Sequence, residues 1–370
     1  MVKYENLLEE LHPLALGPFS NWVKLLRDNN GVDSIFGQRA RRISLLSILT
    51  SPLRAIEHNR FGSVIQNSRI DQAPIFIIGH WRSGTTWLHN LLTQDTRFGY
   101  VSTWQAVAPG FSLLGDRVLK PLVNLLLPPT RMMDNMAWSL DSPQEEEFAM
   151  VNLLPYSFYH QWSFPRKARE YFRKYVLWEG VSRRVQSEWE NAYIAILKKA
   201  TLRASGRRLV TKNPVNTGRI ETLLEIFPDA KFIFLYRNPY TVYPSTQRLY
   251  QKTLRITQLQ DVLPGEVDAN ILWFYQQLMK KYLGTRDLIP PENLLEIRFE
   301  DLEAAPLLHL RRIYEKFNLP NFSACRPVLE RYISGLDGYK KNRYTLGAEI
   351  ISTVQKHWGF ALDQWAYTAG

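Results

Sequence analysis

Residues 75–87 read Ile75-Phe76-Ile77-Ile78-Gly79-His80-Trp81-Arg82-Ser83-Gly84-Thr85-Thr86-Trp87, and the reading of this run decides the fold. The unbroken apolar stretch up to Ile78 suits a strand buried on both faces. Gly79 to Gly84 forms a tight glycine-bearing loop, and a helix is predicted from Thr85 to about Leu92. A strand, a glycine loop and a helix start in that order turn backbone N–H groups and the positive end of the helix dipole toward an anion. Thr85 and Thr86 add hydroxyls at the first turn, and Arg82 adds a planar cationic fork suited to oxyanions.

Outward from this run the same grammar repeats. Arg208–Thr211 is a second predicted strand, followed by a turn at Asn213-Pro214 and a helix near Arg219–Phe227. Lys231–Tyr236 is the clearest strand and runs into Arg237-Asn238-Pro239; Leu294–Arg298 is another, followed by an acidic turn and a helix through Leu307–Phe317. Strands alternating with helices predict an α/β fold, a P-loop-like, doubly wound parallel sheet flanked by helices. Residues 1–70 read as a helical N-terminal extension to a domain over 71–370. Leu7, Leu8, Leu11, Trp22, Leu25 and Leu26 recur at helical spacing, and Arg39, Arg41 and Arg42 precede the apolar run Ile43–Leu49. Two readings of the extension stand: helices packed on the core, or a basic amphipathic segment at a membrane surface. Residues 100–205, punctuated by Trp and Pro, read as a helical insertion that shapes an acceptor pocket, since ligands of open α/β sheets bind at the carboxyl ends of the strands.

Composition narrows the class. With 370 residues, 45% hydrophobic and 22% charged, the chain is neither disordered nor fibrous. Its single cysteine, Cys325, excludes an internal disulfide and points to a reducing compartment. The N-terminus is acidic where a signal peptide needs positive charge, and no apolar run approaches the ~18 residues of a membrane span. A cytoplasmic protein is expected. The net charge of +11 predicts attraction to something anionic: a phosphorylated ligand, nucleic acid or acidic lipid. Seven histidines and one cysteine without ligand spacing predict no metal site.

An ATP or GTP P-loop places a lysine directly after its second glycine, whereas here that position is Thr85 and the cation is Arg82, inside the loop. A magnesium-binding aspartate at a later strand end is also missing, because the strongest strand ends in Arg237. Arginines on two loops suit an anionic nucleotide neutralised by protein cations.

The GxxRSGTTW loop, followed by Tyr236-Arg237-Asn238-Pro239 and by Ser245 eight positions after Arg237, resembles the sulfotransferases that use 3′-phosphoadenylyl sulfate. The likeness covers about residues 74–95 and 205–250, with a weaker echo at Ile297–Leu302 and near the C-terminus. It implies that Ser83, Gly84, Thr85 and Thr86 hold the 5′-phosphosulfate, that Arg237 and Ser245 hold the 3′-phosphate, and that Trp87 stacks on the adenine. A tryptophan one turn into a buried helix also reads as plain core. Arg82 matches a catalytic lysine of cytosolic animal members and the arginine of bacterial and Golgi branches. There it would neutralise charge on the transferring sulfuryl group, and arginine donates no proton. Lys212, at a strand end, resembles a lysine common in the bacterial branch and is expected to face the active site. Lys341, within Lys340-Lys341-Asn342-Arg343-Tyr344, lies where the family closes over the 3′-phosphate; a solvated basic turn explains that stretch equally.

An attacking hydroxyl must lose its proton, so a general base is expected. Asp141-Ser142-Pro143-Gln144-Glu145-Glu146-Glu147 resembles an acidic motif of bacterial members. Packed like charges favour a raised carboxyl pKa there. The same residues also read as a helix start with Ser142 as N-cap, Pro143 first and glutamates in the first turn. Glu145 is the first candidate for the base and Glu147 the second. His80 and, more weakly, His160 are further polar candidates, each with an equal structural reading. The resemblance implies sulfuryl transfer to a hydroxyl. The aromatics Trp104, Trp138, Tyr156, Phe158, Tyr159 and Trp162, with the basic N-terminal helices, point to a lipid, sterol or other amphipathic alcohol as acceptor. A carbohydrate acceptor, a P-loop kinase acting on a small alcohol, and a non-catalytic nucleic-acid or membrane-binding protein are the alternatives. The expected partners are a small-molecule or lipid acceptor and, through residues 1–70, a membrane surface, with no nucleic acid and the oligomeric state open.

Overall fold

The computed structural model describes residues 12–117, 119–124, 139–335 and 346–368. The chain forms two compact units. One comprises residues 71–99, 207–249 and the described residues from Asp268 onward; the other comprises the described residues up to Ile70 with 100–206 and 250–267.

The first unit is built on a parallel sheet of β1 (Ile75–Gly79), β2 (Phe98–Gly99), β3 (Arg208–Lys212), β4 (Lys231–Tyr236) and β5 (Leu294–Arg298), in the order β2-β3-β1-β4-β5. Every described pairing is parallel, with Ile77 of β1 opposite Lys212 of β3 and Ile233 of β4. Ile75 to Ile78 and Phe232 to Leu235 are completely buried, as strands covered on both faces require. Each such side chain contributes about 1.5–3 kcal/mol by leaving water. The chain steps from β1 to β2 and β3 on one side and then crosses to β4 and β5 on the other. The switch point therefore lies at β1, and the loops leaving the carboxyl ends of β1, β3, β4 and β5 gather on one edge.

The α/β parallel sheet agrees with the sequence reading, and β4 and β5 have the bounds expected from their patterns. β2 was not foreseen, because two residues carry no periodicity to read. The helix expected through Leu307–Phe317 is Pro306–Lys316, and the acidic turn expected before it is a short helix, Phe299–Ala304, which Pro306 cannot continue because it lacks the N–H.

The second unit is helical. Its helix Phe19–Asp28 buries Trp22 and Leu25, and Gly37–Leu49 buries Ile43 and Ser47. The long helix Arg183–Arg203 buries Trp189 stacked on Tyr193, with ring centroids 4.8 Å apart. Glu57 is fully buried there; it pairs with Lys199 and accepts the backbone N–H groups of Leu113 and Leu114 at 2.8 and 2.9 Å. A buried charge costs stability unless it is paired in this way. Among the described residues, no helix is long and apolar enough to cross a membrane, and no group of three His, Cys, Asp or Glu side chains could hold a metal ion.

Candidate active site

The loop after β1 is shaped by two glycines for two different reasons. Gly79 has φ +140°, and a Cβ there would lie 2.3 Å from the carbonyl oxygen of Leu235 in β4. Gly84 has φ +92°, and a Cβ would lie 2.1 Å from the ring of Phe299. Only glycine fits either place. Between them Arg82 itself takes φ +70°, an unfavourable region for a residue with a Cβ, which strained functional loops tolerate. The loop is fastened at its root by the buried Thr217. Its hydroxyl accepts the N–H of Gly79 at 2.7 Å and approaches the carbonyl oxygen of the same residue at 3.1 Å. The helix Thr85–Leu92 starts directly after Gly84, so its first amides face the loop. Ser83 and Thr85 are buried, while Thr86 and Trp87 are partly exposed.

β3 and β4, the two neighbours of β1, end alike: Lys212-Asn213-Pro214 and Arg237-Asn238-Pro239. In each case the asparagine side chain accepts the N–H two residues on, Val215 at 3.1 Å and Tyr240 at 2.9 Å, and proline opens the following helical turn. Asparagine caps and proline fixes φ, so the chain turns sharply with the cation at the strand end. Lys212 is buried, and its charge helps burial hold His89 near pKa 3.

Arg82 and Arg237 converge although they are far apart in sequence. Nε of Arg82 donates to Oγ of Ser245 at 2.9 Å, and an Nη of Arg237 donates to the backbone oxygen of Arg82 at 3.2 Å. The Arg237 guanidinium also lies 4.2 Å from the ring centroid of Phe299, and Trp87 meets that ring edge-on at 6.0 Å. Phe299 thus touches Gly84, Trp87 and Arg237 at once, a role the sequence reading missed. Its only signal was its place at a strand end, after Arg298. Thr217 left no signal at all. His80 donates from its ring to the Trp81 carbonyl at 2.7 Å and sits against Tyr275 and Trp358; burial keeps it neutral, near pKa 3. Lys341 lies outside the described residues.

The acidic run belongs to the helical unit. Its helix is Glu146–Leu153 with Glu145 as N-cap, so the expected start at Ser142-Pro143 is corrected. Ser142 instead accepts the N–H of Ser139 at 3.0 Å, and Pro143 bridges Ser102. Glu147 is fully buried and accepts the Ser157 hydroxyl at 2.7 Å and the Phe158 N–H at 3.2 Å. Glu145 accepts the hydroxyl of Tyr159, which the sequence gave no reason to pair with it. His160 donates to the Leu154 carbonyl at 2.9 Å and is kept near pKa 4 by burial. Of the aromatics expected to line a pocket, Trp104 and Phe158 are core. Trp104 packs on Phe111 and donates to the Ser112 carbonyl, and Phe158 meets Phe172 edge-on. Trp138 lies outside the described residues.

A family model described as the sulfotransferase family matches residues 74–324. An omega-hydroxy-beta-dihydromenaquinone-9 sulfotransferase, Stf3, of Mycobacterium bovis is 36% identical over 358 residues, covering 96% of this chain and 91% of that protein; its Mycobacterium tuberculosis counterpart matches equally. The chain belongs to the sulfotransferase family, and it is a transferase that moves a sulfuryl group. In fold it is similar to sulfotransferase STF9 from Mycobacterium avium, with a TM-score of 0.66 and 19% identity over 95% of this chain and 97% of that one. It is similar also to STF1 from Mycobacterium tuberculosis, with a TM-score of 0.65 and 18% identity over 92% and 90%.

Proposed function

We propose that the chain transfers the sulfuryl group of 3′-phosphoadenylyl sulfate to the hydroxyl of a lipid or other amphipathic alcohol. The observation that carries the donor is the meeting of Arg82 with Ser245 and of Arg237 with the Arg82 backbone, two cations from separate loops at one strand edge. A nucleotide phosphorylated at both its 3′ and 5′ positions offers one charge to each, whereas a nucleoside diphosphate carries both phosphates at its 5′ position. The residues present fit such a donor, since two glycine cradles and a helix start leave backbone N–H groups at the loop.

Each side chain then has a task. Ser83, Gly84, Thr85 and Thr86 bind the 5′-phosphosulfate, Arg237 and Ser245 the 3′-phosphate, and Trp87 the adenine face. When bound, the donor supplies an activated sulfuryl group whose leaving phosphate is already anionic. Arg82 lowers the barrier by standing where negative charge grows, and Lys212 adds a second positive charge. Glu145 takes the acceptor proton, with Tyr159 orienting its carboxylate. Glu147, already holding two donors, serves the fold around it.

The lipid acceptor is supported by the relative named for an omega-hydroxylated menaquinone derivative, and by the basic, apolar character of residues 1–70. We place the enzyme in the cytoplasm, with residues 1–70 at a membrane surface. Calorimetry with 3′,5′-adenosine bisphosphate against ADP tests the donor, and equal affinities would refute it. An acceptor panel of long-chain alcohols, sterols and carbohydrates tests the rest; turnover of carbohydrates alone removes the lipid reading.

A further inference from the structure

Tyr236, Arg237 and Asn238, at the carboxyl end of β4, are gripped from two parts of the unit that carries the sheet. One grip comes from the end of β5. The Arg237 guanidinium lies over the Phe299 ring, and the next residue, Glu300, accepts the N–H of Asn238 on one carboxylate oxygen at 3.0 Å. The other comes from residues 365–367. The Tyr367 hydroxyl donates to the second oxygen of Glu300 at 2.7 Å, and Trp365 stacks on Tyr236 with ring centroids 5.5 Å apart. Tyr367 also meets the Tyr236 ring edge-on at 6.3 Å. The neighbours of Arg237 on both sides are thus tied to one short segment, Tyr236 ring to ring and Asn238 through Glu300.

The chain accepts a conformational cost to reach this place. The helix Ala348–Gln364 ends with the N–H of Tyr367 on the Leu362 carbonyl at 2.9 Å and that of Ala366 on the Asp363 carbonyl at 3.4 Å. Such a cap puts its turning residue in the left-handed region, where glycine is usual. Here that residue is Ala366, at φ +51°, an unfavourable place for a Cβ. The turn delivers Tyr367, which is buried, directly onto Glu300. Burial and the Glu300 carboxylate push the Tyr367 hydroxyl far above the ordinary tyrosine range, so it stays a donor. Arg298 lies over the Tyr367 ring at 4.6 Å and reaches the same Glu300 oxygen at 3.4 Å. A carboxylate beside an anion-binding turn would repel the ligand. With one oxygen on a backbone amide and the other between a phenol and a guanidinium, Glu300 serves instead as a clamp.

We propose that Tyr367 is a positioning residue for donor recognition: acting through Glu300 and Asn238, it fixes Arg237 where a 3′-phosphate is met. This deepens the reading of the donor, on which it rests. The test uses the full chain and Tyr367→Phe, which keeps the ring beside Arg298 and Tyr236 and removes only the bond to Glu300. Calorimetry should show 3′,5′-adenosine bisphosphate weakened by about three- to tenfold, and 5′-AMP, which lacks the 3′-phosphate, unchanged. Without ligand, hydrogen exchange of the Asn238 amide should quicken by about the same factor. Tyr367→Ala, which removes the ring as well, should narrow the preference for the bisphosphate further. A tyrosine that only supports the fold would instead weaken both nucleotides equally as the melting temperature falls, and that result overturns the proposal. So does Asn238 exchange unchanged in Tyr367→Phe. Equal affinities in the wild type would refute the donor reading itself, whereas a wild type that discriminates beside a Tyr367→Phe that discriminates as well sinks only the role of Tyr367.

Discussion

Around Gly79–Gly84 the polar equipment is backbone amides, small hydroxyls and two arginines, each aimed by backbone geometry: a left-handed glycine, an asparagine cap, a proline. Around Glu145–Tyr159 it is carboxylates, and Glu147 is answered inside the unit by a hydroxyl and an amide. The loop is rigidified from behind, by the Thr217 hydroxyl at Gly79 and by the Phe299 ring against Gly84. A buried carboxylate must be answered, because leaving it unanswered costs several kcal/mol. A charged residue in a conspicuous motif is therefore a stronger functional sign when its position is enforced by the backbone than when its charge is neutralised by neighbours.

The contrast can be broken most forcefully at Arg82. Arg82→Ala should lower kcat by about 100- to 1000-fold with little change in the affinity for 3′,5′-adenosine bisphosphate, measured by steady-state kinetics and calorimetry. Gly84→Ala should come next, because a methyl group would have to displace the Phe299 ring. Binding of the bisphosphate should fall by at least about tenfold, and the melting temperature should drop by the equivalent of about 1–3 kcal/mol. Arg237→Ala should weaken the bisphosphate by about 10- to 100-fold and ADP hardly at all, the loss of a charge-assisted contact.

On the carboxylate side the two glutamates should separate. Glu145→Gln should cut kcat by about 100-fold with the melting temperature nearly unchanged. Glu147→Gln should do the reverse, costing about 1–3 kcal/mol of stability in denaturant titration while the folded enzyme keeps most of its turnover. A stability loss for Glu145→Gln, with turnover intact, would reverse the assignment.

The dependence on pH is shared, and here the two units should behave alike. His80 and His89 in the sheet unit and His12 and His160 in the helical unit are buried and hold pKa values of about 3 to 4, below the ordinary 6.5. The unfolded chain binds protons first as pH falls, so the stability they permit is complete above pH 6.5. It is lost on acidification towards pH 3, at about 1.4 kcal/mol per pH unit for each histidine. Melting temperature should fall steadily between pH 7 and pH 4, and His89→Gln should flatten that slope even though it costs stability at pH 7.

The loop Gly79–Gly84, four of the five strands, and the spacing of Arg237 and Ser245 could be read from the sequence, because each is a local pattern within a few residues. The opposite is true of the helix start at Glu145. Ser142 and Pro143 have the right chemistry for a cap, but Ser142 is bound to Ser139 and Pro143 to a bridge with Ser102, so the helix begins three residues later.

From the sequence alone came the strand–loop–helix order, the arginine-bearing loops and the surplus of positive charge, since propensity, turn chemistry and charge are properties of neighbouring residues. Tertiary structure alone decided that Phe299 supports Gly84 and Arg237, that Thr217 clasps Gly79, that Glu147 is engaged by Ser157, and that Trp104 and Phe158 are core. Contacts between distant residues are settled by which surfaces can pack and which polar groups must be satisfied, and no run of adjacent residues records that competition.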